Sequence, residues 1–269
     1  MTVSCIEVER RQRTGLIWLN RPEKRNALSA DMWAELPAAA DSLSTDPDIR
    51  AIVVAARGPA FCVGIDLEML GSLAPGGESE ASRRMALYKR ISELQTSFTS
   101  LADSPKPVIA AIQGYCLGAG IDLITACDIR LASADATFGV RETVMGLVAD
   151  VGTLQRLPTI VGPGHAADLI YSGRDVDAIR AQRIGLVNDV YADIEQTLDA
   201  ALELASAIAA NSPLVVGGAK KILKRTEGRA VAEGLDYVAL WNAAFLVSDD
   251  LKEAMTAFAE KRKPEFRGK

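Results

Sequence analysis

The 269-residue chain has a single histidine, His165. A Ser-His or Cys-His triad would need it as the base. Its setting, VGPGHAADLIYSG, reads instead as the start of a helix. Four cysteines, Cys5, Cys62, Cys116 and Cys127, form no C-x-x-C pair, so the usual zinc arrangements are excluded and no metal is expected. There is no basic surplus: 30 Lys+Arg stand against 35 Asp+Glu, a net charge of −5 that argues against nucleic acid as a partner. The N-terminus, MTVSCIEVER, has charges where a secretory signal needs an apolar run. The longest apolar stretch, Pro107 to Ile121, contains Gln113 and three glycines and falls short of the ~18 residues of a membrane span. The final residues, EFRGK, are not a peroxisomal S-K-L address, and scattered cysteines fit reduced thiols. These absences give the expectation of a cytoplasmic chain with no membrane partner. They leave carboxylates or backbone amides to carry any chemistry.

What is present is an apolar fraction of 49%, enough for one large domain or one domain with a helical extension. Strands are expected at Cys5–Glu9, Gly15–Leu19, Ala51–Ala55, Pro107–Ile112 and Asp128–Leu131, and a strand-like stretch at Leu186–Val190. Ser29 reads as the N-cap of a helix to about Leu43, with Pro37 a candidate kink. Leu73–Ser82, LAPGGESEAS, has the composition of a mobile surface loop before a long helix to about Leu101. Four helical patterns follow Asp193. The order predicts an α/β core over residues 1–192 and a helical region over 193–269.

Two segments share a plan of apolar strand, glycine-bearing loop and helix: AIVVAARGPAFCVGIDLEML and PVIAAIQGYCLGAGIDLITA. Glycine at such a turn lets backbone N–H groups point at a ligand, and a helix N-terminus adds unpaired N–H groups and partial positive charge. Two turns side by side could hold an oxygen that becomes negative during a reaction. Ordinary tight turns of an α/β fold remain the alternative. G-x-G-x-x-G is not matched, so a dinucleotide site is not supported.

N-R-P-E-K-R-N-A-L-S (Asn20–Ser29), F-C-V-G-I-D-L (Phe61–Leu67), G-Y-C-L-G-A-G-I-D-L (Gly114–Leu123), A-C-D-I-R-L-A-S (Ala126–Ser133) and F-A-E-K-R-K-P-E-F near the C-terminus occur in order across nearly the whole chain. Together they resemble the enoyl-CoA hydratase/isomerase, or crotonase, superfamily. The resemblance implies a spiral of β-β-α turns with a helical C-terminal trimerisation region. It implies an acyl-CoA thioester substrate, no separate cofactor, and assembly as a homotrimer or a dimer of trimers. The oxyanion hole would map onto the backbone N–H groups of Ile65 and Ala119. Glycine is common at the second position; alanine keeps its N–H, provided the backbone there suits a Cβ. CoA contacts would fall at Arg21, Lys24, Cys62, Gly64 and Asp66, with Arg25 beside them. Lys261, Arg262 and Lys263 form a second basic set.

The stretch from Ile121 to Pro158 narrows the resemblance to the Δ3,5-Δ2,4-dienoyl-CoA isomerases. There, Asp122 stands where hydratases carry their first Glu, Glu142 is the second Glu, and Asp150 replaces the usual glycine. A-D-V-G-T-L-Q-R-L-P around Asp150 is the most diagnostic piece. Each acid also has a structural explanation. Asp122 would favour a helix dipole, Asp150 could be an N-cap, and Glu142 could pair with Arg141 at the surface.

The implied activity of fatty-acid β-oxidation moves a proton from C2 to C6 of a 3,5-dienoyl thioester through an extended dienolate, giving the 2,4-diene. Two carboxylates must then reach two distant carbons, one ionised and one protonated. Glu142 is expected at C2 and Asp150 at C6, with the reverse order open. Asp122 would raise a neighbour's pKa by like-charge repulsion. The alternatives are a 2-enoyl-CoA hydratase, or another crotonase-type isomerase, using Asp122 and Glu142, and a non-catalytic acyl-CoA-binding scaffold.

Overall fold

The computed structural model describes residues 4–72, 78–262 and 264. In chain order the elements are β1 (Ile6–Arg11), β2 (Thr14–Leu19), α1 (Ala30–Thr45), β3 (Ala51–Ala56), α2 (Leu67–Ser72), α3 (Glu80–Ala102), β4 (Val108–Ile112), β5 (Tyr115–Leu117), α4 (Ala119–Thr125), β6 (Ile129–Ser133) and β7 (Thr137–Gly139). Then come α5 (Thr153–Val161), α6 (Pro163–Ser172), β8 (Val176–Asp177), α7 (Ala178–Arg183), β9 (Asp189–Tyr191), α8 (Ile194–Ala210), α9 (Pro213–Phe245) and α10 (Asp249–Ala259). This is the expected α/β architecture of β-β-α turns followed by helices, but among the described residues three helices rather than four follow Asp193, α9 running unbroken for 33 residues.

Six strands form one sheet in the order β1-β2-β3-β4-β6-β9, and β5, β7 and β8 form a second. β1 and β2 are an antiparallel pair, and every later pairing in the large sheet is parallel. The central strands are apolar without alternation because both of their faces are covered. Ile52 and Val54 of β3 face the main core, while Val53 of the same strand packs with Ala201 and Ala205 of α8 on the opposite face. Alternate residues of β2 and β4 divide in the same way. The small residues of α8 let its backbone lie close to the sheet.

Ser29 caps α1 as expected, its hydroxyl accepting from the Met32 N–H at 3.3 Å, and α1 runs through Pro37. Of the expected loop at Leu73–Ser82, residues 73–77 lie outside the described residues. Ser79 already caps α3, with Ser82 closing a reciprocal capping box. The last strand begins later than its apolar pattern predicts. Leu186 and Val187 are almost fully buried in the turn before β9, so their hydrophobicity serves the core rather than a ladder.

Candidate active site

The two glycine loops lie side by side. Cys62 N–H donates to the Tyr115 carbonyl at 3.0 Å, and Leu117 N–H donates to the Cys62 carbonyl at 2.9 Å. This short parallel pairing brings Gly64 against Gly118: a Cβ on Gly118 would meet Gly64 Cα at 3.6 Å. Gly118 is the N-cap of α4 and has φ +53° with ψ −123°, a conformation that a side chain strongly disfavours. The strained position is therefore the glycine before Ala119, and Ala119 itself has no positive φ. The Cβ at Ala119 is thus no obstacle to presenting its N–H at the start of a helix. Among the described residues, no acceptor takes the N–H of Ile65 or Ala119.

These amides open onto a cavity of about 760 Å³. All three sequence-predicted acids line it: Asp122 from α4, Glu142 and Asp150 from the segment between β7 and α5. Apolar walls come from Trp33 of α1, Ile91 and Leu94 of α3, and Leu246 and Phe258 from the C-terminal region.

Asp122 is fully buried. Its Oδ1 accepts from the Thr153 N–H at 2.5 Å, while its Oδ2 has no hydrogen-bond partner. Burial raises its pKa to about 6 against the opposing effects of Thr153 and the Arg156 guanidinium. Glu142 is pushed up to about 8 by burial and then by the charges of Asp122 and Asp150. One of its oxygens, Oε2, is buried without a partner; the other, Oε1, lies 3.5 Å from the place a Cβ on Gly118 would occupy. Glu142 therefore stands beside the paired amides. Asp150 rises to about 7 through burial and the Asp122 charge, opposed by a hydrogen bond from Asn242 Nδ2 at 2.7 Å. The three acids titrate as a set around neutrality.

The structural explanations for Asp150 and Glu142 do not match what the residues do, while the one for Asp122 does. The N-cap of α5 is Gly152, not Asp150. Arg141 pairs with Asp175 rather than Glu142. Asp122 does lie in the first turn of α4, as its dipole explanation requires, and it is fully buried there and faces the cavity as well.

The expected CoA contacts divide. Lys24, Gly64 and Asp66 line the cavity, as does Arg25, which lies 5.9 Å over the Tyr115 ring. Arg21 and Cys62 stand behind the wall. Arg21 bonds Asp66 at 2.5 Å and the Ala27 carbonyl at 3.0 Å, and its proximity holds the Asp66 carboxyl below its usual value. Cys62 is wholly buried, and burial pushes its thiol up to about 12. Of the second basic set, Lys261 and Arg262 are exposed, Arg262 is paired with Glu253 and Glu260, and Lys263 lies outside the described residues. His165 sits exposed in the first turn of α6 and does not line this cavity.

Sequence reasoning missed Asn242 and Gln95. Gln95 Nε2 donates to the Asp150 carbonyl at 2.7 Å and the Leu235 carbonyl at 3.0 Å, tying α3 and α9 to the acid segment. Nothing local marks either amide, because each acts on residues more than 50 positions away.

Two facing turns with free amides and an acid cluster in an apolar cavity define a site for a reaction that develops negative charge on an acyl oxygen. The sequence profile of the enoyl-CoA hydratase/isomerase family matches residues 9–269, and the chain belongs to that family. A peroxisomal Δ3,5-Δ2,4-dienoyl-CoA isomerase of Arabidopsis thaliana is 44% identical over 251 residues, covering 92% of this chain and 90% of the relative. A mitochondrial enzyme of the same name from Dictyostelium discoideum is 43% identical over 251 residues, covering 93% and 86%. Among solved structures, an enoyl-CoA hydratase/isomerase from Pseudoalteromonas atlantica superposes with a TM-score of 0.86 at 27% identity, covering 98% of this chain and all of that one. The expectation of a cytoplasmic chain is corrected by these relatives, named as peroxisomal and mitochondrial. Reduced thiols and a short apolar run describe the folded body equally well in any of these compartments, so they did not discriminate.

Proposed function

We propose that the chain is a Δ3,5-Δ2,4-dienoyl-CoA isomerase of fatty-acid β-oxidation. The observation that carries this reading is the third acid. Asp150 shares one apolar cavity with Asp122 and Glu142 and with the open amides of Ile65 and Ala119. The thioester oxygen accepts from those two N–H groups. Glu142, beside Gly118, then faces C2, one bond from the thioester carbon. It removes the C2 proton, the charge spreads over the dienolate onto the thioester oxygen, and Asp150 delivers a proton to C6. Glu142 at about 8 and Asp150 at about 7 are close enough that either can hold the proton near neutral pH. A shuttle that must reset after each turnover requires that. Asp122, held by Thr153, keeps a charge or a proton close to both.

Lys24 and Arg25 at the cavity mouth are the cations offered to the CoA phosphates. Arg21 and Asp66 hold the loop that carries them. Asp150→Asn is expected to lower turnover by ~10²–10⁴-fold. The assay is the absorbance of the 2,4-diene formed from 3,5-octadienoyl-CoA. Near-normal turnover, or fast hydration of crotonyl-CoA in place of isomerisation, would overturn the reading.

The helical region supplies the surface for a homo-oligomer. Leu214, Ile222, Leu223, Tyr237 and Leu240 of α9 are all at least 60% exposed, and large apolar side chains exposed in such number along one helix favour an interaction surface there. Sedimentation should give a mass of three or six 28.7 kDa chains. A monomer would remove this assignment.

A further inference from the structure

Asn242 is the group that the reaction scheme leaves unused. It lies near the C-terminal end of α9, far in sequence from the acids, and is 1% exposed. Its Nδ2 makes two hydrogen bonds of 2.7 Å, to the Val148 carbonyl and to Asp150 Oδ2. The amide nitrogen thus spends both of its hydrogens on one three-residue segment. One bond fixes the backbone just before Asp150, and the other fixes the carboxyl itself.

We infer that Asn242 is a positioning residue for proton transfer at Asp150, clamping Oδ2 so that the carboxyl presents its remaining oxygen to the substrate. A neutral donor suits this task. It favours the ionised carboxyl without neutralising it, so Asp150 can still be protonated in the cycle. A lysine or arginine there would hold Asp150 permanently ionised. The charged groups facing Asp150 are Asp122 from α4 and Glu142 from the segment after β7. Arg156 of α5 acts on Asp122. α3 presents the neutral Gln95, and α9 the neutral Asn242. Asn242 is therefore the side chain that opposes the effects of burial and of Asp122 on Asp150.

The inference rests on the isomerase reading, and its test separates the two. The wild-type kcat should be bell-shaped in pH, because the Glu142–Asp150 pair works with one proton. The acid limb reports the first proton to leave the pair, mainly that of Asp150; the reacting form, with Glu142 ionised and Asp150 protonated, is the less populated of the two one-proton states. Asn242→Leu, nearly isosteric and without a donor, should raise that limb by up to about one pH unit. The alkaline limb, set by Glu142, should move less. Turnover should fall ~10- to 100-fold through misplacement of the acid, with KM little changed. An unmoved pH profile overturns the inference, whatever the fall in turnover. If Asn242→Leu does not fold, Asn242→Ser carries the same test. It is smaller and keeps one donor, so a smaller shift in the same direction is expected, and an unmoved profile again overturns the inference. Asp150→Asn serves as the control. If it is inactive while the Asn242 variants keep the wild-type profile, only this inference falls. If it is fully active, the isomerase reading falls and this inference with it.

Discussion

Gly152 has φ +138°, and a Cβ placed on it would lie 1.8 Å from Arg156 Nη1. The guanidinium occupies the space that a side chain would need, and Arg156 is itself buried against Asp122's charge. The D-V-G-T-L-Q-R string is thus a single device. Gly152 makes room for Arg156, Arg156 steadies Asp122, and the Thr153 N–H bonds the Asp122 carboxylate. Gly152→Ala is expected to destabilise the fold by ~1–3 kcal/mol and to lower turnover with it. Chemical denaturation measures the first effect; an unchanged midpoint would show that Arg156 moves aside freely. At this scale, the sequence identified the residues that belong to recurring motifs. Asp122, Glu142 and Asp150 were legible because the strings around them resemble a known pattern. Several equally prominent motif residues prove to be scaffold. Asn26 bonds the Arg57 and Ala60 carbonyls, and Arg130 bonds the Leu186 and Cys127 carbonyls. Asn242 and Gln95 carried no signal, since a single amide in a helix looks the same whether it meets solvent or an active-site acid.

At the scale of elements, the strands were readable wherever burial on both faces made them continuously apolar, as in β3 and β4. Reading failed where burial and pairing part company. Leu186 and Val187 are core residues in a turn, so apolarity alone placed the last strand too early. The same two-faced burial makes α8 sensitive to volume. Ala201 and Ala205, four residues apart, sit fully buried against Leu16, Val53 and Ile109. Ala201→Leu must either push α8 off the sheet or force its neighbours from their rotamers. The expected cost is ~1–3 kcal/mol, read as a lower denaturant midpoint with an unchanged slope. An unaltered midpoint would mean that α8 is less firmly seated than its buried alanines indicate. Because the acids lie on the other side of the sheet, turnover per folded molecule should be preserved.

For the whole molecule, the acid cluster that serves the reaction works against the fold. Burial raises Asp122 to about 6, Asp150 to about 7 and Glu142 to about 8. In the unfolded chain these carboxyls lose their protons near ~4. Between those limits the folded protein holds more protons than the unfolded one, so stability falls as pH rises. The contribution from keeping the acids neutral is fully present below ~4 and is gone once pH passes about 8. Other carboxyls act in the opposite sense. Glu9, Asp46 and Asp66 are held low by hydrogen bonds from Arg11, Arg10 and Arg21, so what they contribute is lost in acid. Stability should therefore be greatest in mildly acidic solution and decline toward pH 8, where the chemistry needs one of the acids ionised. Glu142→Gln removes the acid whose pKa is raised furthest. Its thermal midpoint should match wild type near pH 5 and exceed it near pH 8, while isomerisation is lost. A midpoint that tracks wild type at both pH values would place the destabilising charge elsewhere. If it diverges only at the higher pH, the reactive arrangement and the weak point of the fold are the same three side chains.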